Sequence, residues 1–203
     1  FEQMLEKTKP DAVIVCTPDA HHHTYVNLAL KHGVNVICEK PLTTDAGKCR
    51  EIFQAVEKSG KHCRVTFNCR FRNSYRKVKE LVASGVIGEV KGVTMEWLLN
   101  TSHGADYFRR WHANMAMSGG LLVHKSTHHF DLINWWVDGI PETVYAQGRL
   151  DYYGKANAIA RGKEAWTRYQ RYHGAAVAPD DPFNMKLEER SLLKGLYLEA
   201  EGE

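Results

Sequence analysis

Lys40 stands in Glu39-Lys40-Pro41, directly after the apolar run Val34-Asn35-Val36-Ile37-Cys38. A lysine on an open surface is a solvated charge. One that follows a buried strand and is fixed by a proline is held at the mouth where parallel sheets bind ligands. There its ammonium could polarise a hydroxyl or carbonyl oxygen. A second group is Gly119-Gly120 followed by His124, Lys125, His128, His129 and Asp131. On a helix, His124, His128 and Asp131 are spaced i, i+4 and i+7 and are expected on one face, with His129 turned elsewhere. His128 then suits a general base for an alcohol proton, because imidazole titrates near neutral pH. The bland alternative is a pair of satisfied histidines. Two histidines at i, i+4 and a carboxylate can also bind zinc, but no further ligand is evident and no metal is expected.

The third group, Thr17-Pro18-Asp19-Ala20-His21-His22-His23, ends one strand and opens a helix. Asp19 is expected to cap that helix. The same turn can lay its backbone against a nucleotide ribose, with His22 as a packing group. Arg109, Arg110 and Trp111 divide evenly between lining a pocket and serving as core and surface. Tyr107, Trp111 and Trp166 fit stacking on a sugar as well as they fit a core.

These side chains need a scaffold, and the hydrophobic pattern supplies one. Asp11 to Cys16 is a β-branched apolar run, the mark of a strand buried on both faces. A helix from His23 to His32 stops at Gly33, Val34 to Cys38 makes a second strand, Thr44 can cap a helix running to Ser59-Gly60, and His62 to Phe67 makes a third strand. Such alternation implies right-handed crossovers and a parallel sheet. After Phe67 the pattern changes to a helix over Ser74 to Ala83, a turn at Gly85-Val86-Ile87-Gly88, strand-like runs at Val90 to Leu99 and Thr143 to Leu150, and a helical stretch from His124 to Val137. Residues 154–186 are polar and aromatic-rich, and read as a helical insertion or a surface excursion. The fold class is α/β, with one domain over 1–67 and a second over 68–203.

Composition excludes several function classes. With 43% hydrophobic and 25% charged residues the chain is globular in character, and its +3 charge is too dispersed for a nucleic-acid footprint. Cys16, Cys38, Cys49, Cys63 and Cys69 lack Cys-x-x-Cys spacing, so a reducing, cytoplasmic setting is expected over a disulfide framework. No apolar run approaches the roughly 20 residues of a membrane span. The sequence opens on Phe1 and passes at once into an amphipathic segment, so it reads as a piece of a larger unit whose upstream part could carry an export signal.

Taken together, Asp11-Ala12-Val13 through Thr17-Pro18, His22, Glu39-Lys40-Pro41-Leu42, Asn68-Cys69-Arg70-Phe71, Gly85-Val86-Ile87-Gly88, and Gly119-Gly120 with His128 and Asp131 resemble one family. It is the glucose-fructose oxidoreductase, inositol dehydrogenase and MocA group of NAD(P)-dependent enzymes, and the match covers about residues 10 to 150. The resemblance implies the C-terminal part of a Rossmann domain with a parallel sheet. It also implies an incomplete α/β substrate and oligomerisation domain with a largely open antiparallel or mixed sheet. Lys40 and His128 would take the catalytic places, with His124 beside them. Thr17, Pro18, His22, Glu39, Lys40 and Pro41 would touch NAD or NADP, and Arg70, Arg110, Trp111 and Lys125 would face a sugar-like substrate. A homo-oligomer is implied, with neither nucleic acid nor membrane as a partner.

The sequence departs from the family pattern in three places. The family's glycine-rich pyrophosphate loop and C-terminal end lie outside these residues, and the acid that reads the ribose after the second strand is missing, so NAD is not distinguished from NADP. Where many relatives carry an aspartate four residues before the histidine, this chain has His124 beside Lys125. A cation there opposes a charged imidazole, which implies a different acid-base pair or an anionic substrate. The leading expectation is a dehydrogenase or reductase. Its alternatives are a glycoside hydrolase working by transient oxidation and elimination, and a non-catalytic nucleotide binder.

Overall fold

The computed structural model describes residues 1–164. They fall into two units, Phe1–Met95 with Asn114–Val144, and Glu96–Ala113 with the described residues from Tyr145 on. The first unit opens with α1 (Glu2–Thr8), β1 (Ala12–Val15), α2 (Asp19–Lys31), β2 (Asn35–Cys38), α3 (Ala46–Ser59) and β3 (Cys63–Val65). The strands pair parallel in the order β1-β2-β3, with Val13 opposite Val36 and Cys38 opposite Val65. Right-handed crossovers that march in one direction put α2 and α3 on the same face of the sheet, where they pack together. Val13, Val15, Val26, Ala29, Leu30, Val36, Cys38 and Ile52 form the core between them.

The strands were expected to be buried on both faces, and that expectation is corrected. Only alternate residues are covered, because both helices lie on one side, and Ile14 and Ile37 on the other are 71% and 36% exposed. The helix boundaries also move. Gly33 terminates α2 with φ +73°, a conformation that suits glycine. At α3 the cap is Asp45, one residue past the expected Thr44, and its carboxylate accepts from the Lys48 N–H at 2.9 Å. The N-cap of α2 is Pro18, and Asp19 is its first helical residue with no capping bond. Its carboxylate is engaged by a residue far along the chain instead.

A 3-10 turn at Asn68–Phe71 leads into α4 (Asn73–Ala83). The expected strands at 90–99 and 143–150 do not form among the described residues. Apolar alternation suits a pleated surface, but a strand persists only where a neighbour supplies its ladder. Here Val93, Leu98, Val144 and Leu150 stay exposed. Next come α5 (Thr101–Tyr107), α6 (Met115–Ser118), α7 (Gly120–His124), α8 (Thr127–Val137) and α9 (Lys155–Ala160).

The continuous helix expected from His124 to Val137 is therefore two helices, interrupted at Lys125 and Ser126. The Thr127 hydroxyl takes the Val123 carbonyl, in competition with the backbone ladder, and the Ser126 carbonyl restarts that ladder with the N–H groups of His129 and Phe130. α8 packs on α4, with the Trp136 indole donating to the Tyr75 carbonyl at 3.0 Å. In the second unit, Phe108 stacks on Tyr153, whose hydroxyl donates to the Thr101 carbonyl at 2.6 Å. Trp166 and most of the stretch 154–186 lie outside the described residues. Among the described residues no helix is long and apolar enough to cross a membrane.

Candidate functional site

β1 and β2 end side by side, with Val15 opposite Cys38, so Thr17-Pro18 and Glu39-Lys40-Pro41 leave the same carboxyl edge of the sheet. The Glu39 N–H donates to the Val15 carbonyl at 2.8 Å. Pro41 follows a cis peptide bond. His22, 1% exposed on α2, spans the two turns, its Nδ1 2.8 Å from the Pro41 carbonyl oxygen and its Nε2 2.8 Å from that of Thr17. Replacing His22 by alanine removes a filled volume and strips ring contacts from two backbone carbonyls. A loss of about 2–4 kcal/mol in unfolding free energy is expected from urea titration, and a loss below about 0.5 would show that the ring ties nothing.

From this edge Lys40 reaches the end of α7. Its Nζ donates to the His124 carbonyl at 2.9 Å and lies 3.3 Å from His124 Nε2. On the other side of the same ring, Nδ1 is 2.5 Å from the Asp19 carboxylate, and the two side chains are 9% and 4% exposed. Sequence reasoning missed this role of Asp19, because an aspartate just after Thr-Pro at a helix start is fully accounted for by capping. Burial pushes the Lys40 pKa below that of an ordinary lysine and Lys125 adds to the effect, while Asp19, Glu39 and Cys69 oppose it.

His128 lies on α8, 8% exposed, with its ring edge-on to Phe67 at 6.2 Å. Its Nδ1 is buried without a hydrogen-bond partner. Burial first, then the charges of Lys40 and Lys125, push its pKa down to about 4, with only partial opposition from Asp131. At neutral pH the ring is therefore an unprotonated base. His129 is 9% exposed, and burial and Lys125 lower its pKa too.

Asp131, three residues after His128 on α8, acts electrostatically on that ring, and its carboxylate is held by Arg70, which donates from Nε at 2.8 Å and Nη2 at 2.5 Å. Phe67 and Trp135 flank that guanidinium, with ring centroids 5.8 and 5.5 Å away. Lys40, His124, His128, Arg70 and Lys125 all belong to the first unit. Arg110 and Trp111 belong to the second, where the Trp111 ring stacks on His112 at 3.7 Å. Among the described residues no three side chains converge as a metal-holding group.

Among the described residues, His128 Nδ1, Thr43 Oγ1 and Thr66 Oγ1 are buried here without a protein partner, and two protein acceptors lie at Lys40 Nζ, which leaves a third N–H. The His128 ring and that N–H both fit a substrate oxygen. The half-buried Thr17 and Pro18 and the backbone of Glu39 to Pro41 fit a nucleotide lying along the carboxyl edge of a parallel sheet.

Residues 1–67 match the oxidoreductase family described as an NAD-binding Rossmann fold, and residues 79–188 match its C-terminal alpha/beta domain. A Bacillus subtilis protein named as an oxidoreductase, YteT, is 45% identical over 186 residues, or 85% of this chain and 44% of its own. D-glucoside 3-dehydrogenase of Escherichia coli is 36% identical over 130 residues, or 64% of this chain and 36% of its own. The crystal structure of myo-inositol 2-dehydrogenase from Lactobacillus plantarum aligns with a TM-score of 0.57 at 28% identity, over 68% of this chain and 40% of that one. The chain thus spans less than half the length of these relatives. With both of its regions matched in chain order, the chain belongs to the Gfo/Idh/MocA oxidoreductase family.

Proposed function

We propose that the protein is an NAD(P)-dependent dehydrogenase or reductase that moves a hydride between nicotinamide and a sugar or cyclitol carbon. The observation that carries this reading is the pairing of a half-buried ammonium, Lys40, with a buried imidazole, His128, whose Nδ1 has no hydrogen-bond partner and whose pKa the Lys40 charge helps to lower. In this reading the third N–H of Lys40 binds the reacting oxygen and stabilises the negative charge that develops on it. His128 takes the hydroxyl proton in oxidation and returns it in reduction. Thr17, Pro18, Glu39, Lys40 and Pro41 hold the nucleotide along the strand ends, with His22 fixing the two turns beneath it. A bound nicotinamide supplies the hydride acceptor or donor.

Arg70 and Lys125 of the first unit are assigned to the substrate side, with residues 1–67 as the nucleotide part and 68–203 as the substrate part. Assembly into a homo-oligomer is part of the same reading. Five free cysteines support a reducing, cytoplasmic setting. The test offers the holoenzyme NAD and NADP with a panel of sugars, cyclitols and aryl glycosides. Reduced cofactor is expected to accumulate with a polyol. Release of aglycone without net reduction would replace this reading with the oxidise-and-eliminate hydrolase, and nucleotide binding without any turnover would leave only the binder.

A further inference from the structure

We propose that Asp19 and His124 form a positioning relay that locks the Lys40 ammonium so that its one remaining N–H has a fixed direction. The relay rests on the dehydrogenase reading only for its catalytic consequence. Its geometry stands on three contacts. The Asp19 carboxylate lies 2.5 Å from His124 Nδ1, His124 Nε2 lies 3.3 Å from Lys40 Nζ, and the His124 carbonyl accepts from the same Nζ at 2.9 Å. The three residues come from α2, α7 and the turn after β2, so the fold has to assemble them.

The chemistry follows from counting donors. An ammonium has three N–H groups and turns freely about its Cε–Nζ bond unless acceptors fix it. A carboxylate can only accept, so Asp19 holds the imidazole proton on Nδ1 and leaves Nε2 as a lone pair facing Nζ. That lone pair and the His124 carbonyl take two N–H groups, and the third can point in only one direction. A lysine held by one contact would present a rotating charge, whereas this one presents an oriented donor, the form of electrostatic preorganisation that acts on a developing oxyanion. Without the carboxylate the imidazole can move its proton to Nε2 and turn an N–H against the ammonium, the tautomer error that disables an aspartate-histidine pair.

The experiment is long-range proton-nitrogen NMR on histidine-labelled holoenzyme, compared with Asp19→Asn. The wild type is expected to carry the His124 proton on Nδ1, and Asp19→Asn to shift it to Nε2. In the same variant kcat is expected to fall by about 10- to 100-fold with nucleotide Kd unchanged within about twofold. The limb of the kcat profile set by Lys40 should move to lower pH, because burial and Lys125 still lower its pKa while Asp19, the largest of the charges that raise it, is gone and Glu39 and Cys69 remain, with the His128 ring also nearby. His124→Gln, whose amide can donate to Asp19 and accept from Nζ, should recover at least about tenfold over His124→Leu, which cannot. These two variants decide the matter if Asp19→Asn does not fold. A wild-type proton on Nε2, or equal rates for His124→Gln and His124→Leu, overturns the relay and leaves the dehydrogenase reading standing. Absence of redox turnover with every polyol removes that reading, while the tautomer still decides the relay.

Discussion

Lys40→Met should lower kcat of the holoenzyme by about 100-fold or more while leaving nucleotide affinity within a few-fold. Methionine keeps the length and apolar stem of lysine, so the packing beneath the His124 carbonyl survives and the charge alone is lost. The effect is large because the ammonium is half-buried, where a charge aimed at a developing oxyanion is screened less than at the surface. Steady-state kinetics with fluorescence titration of the reduced cofactor separate the two quantities. A kcat within about fivefold of wild type would mean that Lys40 holds structure and not the reacting oxygen.

The second large effect is expected at His128. Changing it to asparagine removes the proton acceptor, and a drop in kcat of about 100- to 10,000-fold is expected. The pH profile supplies the sharper test. The ring works as a base only when unprotonated, and its pKa is pushed down to about 4, so the acidic limb of kcat/KM should lie near pH 4 and not near the 6.5 of an ordinary histidine. Stability has the same sign. The unfolded chain takes up the proton near pH 6.5 and the folded one near 4, so His128 makes the fold progressively less stable as pH falls between those values, and adds no further loss below them. Since Lys40 is among the charges that depress His128, the residual activity of Lys40→Met should show its acidic limb at higher pH than wild type. An acidic limb at 6.5 in the wild type, unmoved by Lys40→Met, would remove His128 from the mechanism.

Much of this site was legible in the amino-acid order. Apolar runs ending in Thr17-Pro18 and Glu39-Lys40-Pro41 place their last residues at one edge of a parallel sheet, because that placement follows from strand length and crossover handedness alone. Asp19 was not legible as a partner of His124, since 105 positions separate them and its local signal is fully explained by helix capping. The break at Lys125-Ser126 was hidden for a similar reason. The spacing of His124, His128 and Asp131 satisfies one helix, and only the Thr127 hydroxyl on the Val123 carbonyl shows that there are two. Asp131 then serves Arg70, a pairing that depends on α8 lying against the turn after β3. At 90–99 and 143–150 the alternation is a true statement about the side chains, but a ladder is a property of two segments and no single run encodes its neighbour.

The ring of His22 gives the molecule a mechanical property as well as a contact. Two turns that belong to different strands share one rivet, and neither can shift at Thr17 or at Pro41 without dragging the ring that holds the other. A displacement of either turn thus passes to the other, and to the peptide next to Lys40, through a single buried side chain.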